Sequence, residues 1–64
     1  MSDLAAKIAD LEARAEASAL LSRFASDAET RDYNSSLTAR LVEQANKLRA
    51  QLERDHTMEL SQSP

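Results

Sequence analysis

The chain has 64 residues with no glycine, no cysteine, no tryptophan and a single proline that is also its last residue; alanine occurs 12 times and leucine nine. A strand-rich domain needs positive-φ turns and β-branched or aromatic filler, while this sequence has one valine, one isoleucine, one phenylalanine and one tyrosine. The missing glycine and cysteine also exclude a collagen, a disulfide scaffold and a zinc ribbon. Hydrophobic residues make up 42% of the chain, but alanine supplies 12 of those 27 and leaves 15 large apolar side chains. A chain this short is marginal even with a full core, so partner chains are expected.

Eight basic against eleven acidic residues give a net charge of −3. Lysine and arginine form no run, and a nucleic-acid backbone needs clustered cations to release counterions, so the balance argues against nucleic acid. The N-terminus, Met1-Ser2-Asp3-Leu4, has no apolar run of signal length. No stretch approaches the ~18 apolar residues of a membrane span. A cytoplasmic protein is expected, with no membrane partner.

In chain order, residues 3–25 are almost wholly good helix formers, with Ser2 as N-cap and Asp3→Lys7 and Asp10→Arg14 as acid-before-base pairs at i,i+4. Two turn sites compete. Ser26-Asp27-Ala28-Glu29 fits the S-x-x-E capping box, which places a turn at 25–27. The alternative, Asp32-Tyr33-Asn34-Ser35-Ser36, is rich in short polar side chains that compete with helical hydrogen bonds. The first site gives a register in which Leu37, Leu41 and Ala45 meet Ala17, Ala13 and Ala9, and Leu48 meets Ala6 or Ala5, so that large side chains lie against small ones. A second helix is expected over 27–56, carrying the stripe Leu37, Leu41, Ala45, Leu48, Leu52 with Glu43→Lys47 on its outer face. Residues 57–64 show neither period nor caps and are expected to fray.

The first helix carries two apolar stripes. Ala6, Ala9, Ala13, Ala17, Leu20, Phe24 and Ala28 fall on one side, and Leu4, Ile8, Leu11 and Ala15 nearly opposite. A two-helix hairpin has one seam and uses one of these faces. The alanine face suits close approach to the second helix, which leaves Leu4, Ile8 and Leu11 for another molecule. A different rotation of the helix would instead fold these leucines into the seam. Phe24 is expected in the core beside the turn, and Tyr33 over the end of the seam.

Chemistry is sparse. Glu53-Arg54-Asp55-His56 has the Glu-x-x-His spacing of di-iron carboxylate bundles, but the facing helix offers no inward glutamate. His56 is the only histidine, so neither a three-histidine zinc site nor a serine–histidine relay is available within one chain. No catalytic, cofactor or metal residues are expected, and the chain is read as a non-enzyme.

Ala19 to Arg49, centred on Phe24-Ala-Ser-Asp27-Ala-Glu29-Thr-Arg31-Asp-Tyr33-Asn34, resembles a broad group of short bacterial two-helix proteins. In that group, aspartate followed by x-Glu-x-Arg opens the second helix. The resemblance covers about half the chain and implies a helical hairpin with the early turn. In size and shape alone, without a shared motif, the chain is similar to the hairpin co-chaperones of type III secretion and to the dimeric Rop hairpins.

The fold expected is an all-α antiparallel hairpin assembling as a homodimeric four-helix bundle, or docking on a partner helix, through Leu4, Ile8, Leu11, Leu37, Leu41, Leu48 and Leu52. Ser26, Asp27 and Glu29 make the turn. Two other functions are carried forward: a small adaptor or secretion-type co-chaperone that folds on its target, and a dimeric nucleic-acid binder gathering Arg23, Arg31, Arg40 and Arg49.

Overall fold

A computed structural model of the chain describes the backbone of residues 3–62 and the side chains of 3–56. Two helices make up the molecule, α1 (Asp3–Phe24) and α2 (Ala28–Gln62), with no strand among the described residues. They lie side by side as a hairpin of 58 × 17 × 12 Å.

The turn is three residues long and needs no left-handed backbone, since no described residue has positive φ. It is closed by capping. Asp27 Oδ2 accepts the amide of Thr30 at 2.9 Å, and the amide of Arg31 donates to the Asp27 carbonyl at 3.2 Å as the first turn of α2 closes. Asp27, not Ser26, is therefore the N-cap, because its carboxylate takes the third helical amide. Glu29 stands exposed in the first turn, where its charge complements the helix dipole. Asp32–Ser36 is helical, and within it Asn34 Nδ2 donates to the Thr30 carbonyl one turn back at 2.9 Å. Helix α2 continues past residue 56 to Gln62, so the backbone of 57–62 is helical and not the frayed tail expected from its lack of period and caps. The expected cap Ser2 and the end of the expected tail, residues 63 and 64, lie outside the described residues.

The seam repeats in heptads on both helices. On α1, Ile8, Ala15 and Ser18 are buried and Leu4, Leu11 and Ser22 half-buried, a series that half-buried Ala25 of the turn continues, at spacings that alternate four and three. On α2 the matching series is Asn34, Thr38, Leu41, Ala45, Leu48 and Leu52. The Ser18 and Thr38 hydroxyls touch across the seam at 2.8 Å and fix the register. Counting outward from that contact along two antiparallel helices places Ala15 opposite Leu41, Leu11 opposite Ala45, Ile8 opposite Leu48 and Leu4 opposite Leu52.

The seam therefore does not use the alanine stripe. Ala6, Ala9, Ala13 and Ala17 are exposed, and Leu4, Ile8 and Leu11 are turned toward α2. The reason is the size of the transfer term: each buried methylene stabilises by about 0.8 kcal/mol, and an alanine brings one methyl where leucine or isoleucine brings four carbons. The rotation that buries Leu4, Ile8 and Leu11 wins even though it carries Ser18 and Ser22 into the seam as well.

Candidate functional site

Along its length the hairpin changes character. In the half remote from the turn, aliphatic side chains fill the seam and charges stand outside, among them the exposed ion pairs Asp10–Arg14 at 3.0 Å and Glu43–Lys47 at 3.4 Å. In the half next to the turn the arrangement is inverted. The seam there is made of Ser18, Ser22, Asn34 and Thr38.

These polar groups are satisfied within the hairpin. Ser18 Oγ lies 3.1 Å from the carbonyls of Arg14 and Ala15, Thr38 Oγ1 donates to the Asn34 carbonyl at 2.8 Å, and Ser22 Oγ donates to the Arg31 carbonyl at 2.9 Å. No buried side-chain polar atom among the described residues lacks a partner. The layer is thus a finished structural feature with no group left over for a ligand.

The large apolar side chains of this half stand outside. Phe24 is 78% exposed, Tyr33 63%, Leu21 61% and Leu20 46%. Neither aromatic covers the seam as expected, because the polar layer occupies the place where they would have packed. Helix geometry assigns these side chains to a flank. Glu12 and Arg49 each follow a seam residue by one position, and they pair across the helices, which marks one side of the hairpin. The other side carries the residues that precede seam positions: Ala17, Leu21 and Phe24 on α1, and Tyr33 and Leu37 on α2. Five apolar residues from both helices thus share one flank beside the turn, with Leu20 at its border.

Farther from the turn, the same flank carries Asp3, Lys7, Asp10 and Arg14 on α1, and Arg40, Lys47 and Arg54 on α2. Two shallow open grooves are also present, one on the outer face of α2 and one between the helices on the Glu12–Arg49 side. One, of about 610 Å³, is lined by Ala39, Val42, Glu43, Asn46, Lys47 and Ala50; the other, of about 310 Å³, by Ala19, Ser22, Ser35, Thr38 and Ala39.

Of the residues expected to meet a partner, Leu4, Ile8, Leu11, Leu41, Leu48 and Leu52 are occupied in the hairpin's own seam, and Leu37 is half-buried at the edge of the apolar flank. The sequence did carry a signal for the inverted half. Serines at 18 and 22 and polar residues at 34 and 38 stand at matching heights about the turn, in step with both heptads. Arg23, Arg31, Arg40 and Arg49 do not share a face within one chain, and Arg49 is engaged by Glu12. Glu53 and His56 are both exposed, and no group of three or more His, Cys, Asp or Glu among the described residues could hold a metal ion. No described helix is long and apolar enough to cross a membrane.

Neither a family model, a curated protein nor a solved structure matches the chain.

Proposed function

We propose that this protein is a non-enzymatic oligomerisation module, a helical hairpin that completes its fold by associating with a second copy of itself. The observation that carries this reading is the mismatch between core and surface. Ile8, Ala15 and Ala45 are the only buried hydrophobic residues among those described, and none of them is fully enclosed. The chain exposes 5146 Å², whereas a compact monomer of its 7.1 kDa exposes roughly 4,100 Å². Its radius of gyration, 15.8 Å, likewise exceeds the roughly 11 Å of a compact chain of this length.

Mass action supplies the test. If folding is coupled to association, the midpoint of thermal unfolding followed by circular dichroism rises with protein concentration. A midpoint that stays constant over a hundredfold range of concentration means that the hairpin folds alone, and removes the reading.

A further inference from the structure

We infer that the second copy docks on the turn-proximal flank of the hairpin, so that two hairpins overlap by their turn ends and their charged arms point apart. The inference rests on the self-association proposed above and names the surface that mediates it.

Three features single out this flank. The first is inversion of the usual pattern: beside the turn, hydroxyls and an amide fill the seam while Leu21, Phe24 and Tyr33 face water. A hairpin selected to work alone would place these the other way round, because moving large apolar side chains from water to an interior stabilises the fold. The pattern makes sense once the flank is an interior, with the satisfied polar layer behind it as a spacer. The second is area. Leu20, Leu21, Phe24 and Tyr33 leave on the order of 500 Å² of apolar surface in water, at the upper end of what a monomer shows in its largest patch. Two such patches face to face bury roughly 1,000 Å², the lower bound of a specific interface, which matches a dimer that dissociates on dilution.

The third feature is the charge pattern, which selects the geometry. In a full-length antiparallel overlap of these flanks, Leu21, Phe24 and Tyr33 would lie against Asp3, Lys7 and Asp10 or against Lys47 and Arg54, and those charges would lose water without gaining partners. A full-length parallel overlap would set α2 of each copy against α1 of the other and draw Lys7, Arg14, Arg40, Lys47 and Arg54 of each copy into the contact with only Asp3 and Asp10 to offset them. Overlap confined to the turn ends places apolar surface on apolar surface and leaves every charge of the arms in water. A two-fold axis through the patch makes the contact self-complementary and closes it at two chains.

Small-angle scattering, with a mass determined on the same sample, tests the inference on the full chain. The expected dimer is roughly 100 Å long, two 58 Å rods overlapping by the two or so turns that include residues 17–24. Phe24→Asp and Leu21→Asp, both at exposed positions that contribute little to the seam, should each weaken dimerisation at least tenfold while helicity at high concentration persists. Val42→Asp, on the opposite flank, should leave the dimer intact. A dimer close to 58 Å long, or one that survives Phe24→Asp and Leu21→Asp but not Val42→Asp, overturns the docking surface and leaves self-association standing. A monomer at all concentrations, or a chain that covers this flank only with a different protein, overturns both.

Discussion

At the scale of single residues, the side chain that shapes the hairpin most locally is Asp27. A chain without glycine cannot end a helix in a left-handed residue at low cost, and this one instead turns in three residues and begins again with a strong cap. The Thr30 amide, by donating to the Asp27 carboxylate, holds its pKa below the usual 3.8, with the nearby Arg31 charge acting in the same direction. Because the folded-state value is the lowered one, the anion's contribution to stability is complete above the ordinary carboxylate range and disappears as pH falls through the lowered value. Asp27→Ala should therefore lower Tm by several degrees at pH 7, with the gap to the wild type closing as pH drops below 4. Asp27→Asn should keep the cap and lose that pH dependence, since an amide oxygen caps nearly as well and does not titrate.

The cap also shows what was legible residue by residue. A capping box at 26–29 located the turn because Ser, Asp and Glu near a helix start carry their own hydrogen-bonding reason, but the same motif offered two neighbouring caps. Geometry, with Asp27 three residues before the Thr30 amide, decided between them.

At the scale of the elements, the antiparallel pair is held by a seam of two unlike halves. Ile8 is the most enclosed large side chain of the aliphatic half, at 6% exposure, and Ile8→Ala should cost ~2–4 kcal/mol, enough to leave most of the isolated chain unfolded at 25 °C by circular dichroism. The polar half should respond in the opposite direction. Asn34 spends its amide on its own helix and receives no hydrogen bond from α1, so Asn34→Leu gives the seam an aliphatic side chain at the loss of one local bond. A gain of about 1 kcal/mol, or some 4–8 °C in Tm, is expected, along with a looser register, since buried polar side chains in paired helices specify alignment at a cost in stability. The Glu12–Arg49 pair, about half exposed on both sides, adds at most about 1 kcal/mol and is screened by salt.

Element type and direction could be read from composition and periodicity, but the rotation of α1 about its axis could not. Alanine is compatible with a seam, with an outer face and with helix propensity alone, so a stripe of alanines has the period of a packing face without its energy. The 4–3 spacing of Leu4, Ile8, Leu11 and Ala15 was equally visible, and its larger side chains decide the rotation. Ser18 and Ser22, which continue that series, disguised it because serine does not count as apolar.

At the scale of the whole molecule, a 58 Å rod only 12–17 Å across has much surface for its volume, and among the described residues four of the five exposed large apolar side chains, all but Val42, lie beside the turn. Composition already indicated a shortage of core. The structure adds where the shortage is felt: beside the turn, on the flank carrying Leu21, Phe24, Tyr33 and Leu37, and not along Leu4, Ile8 and Leu11. Two hairpins meeting there would make a short four-helix segment with four of these apolar residues from each copy inside and the Ser18–Thr38 layers behind. Sedimentation equilibrium of the wild-type chain over a range of concentrations tests this most directly. The expected mass rises from that of one 7.1 kDa chain toward twice that value and stops there; a single 7.1 kDa species that remains cooperatively folded at every concentration would contradict self-association.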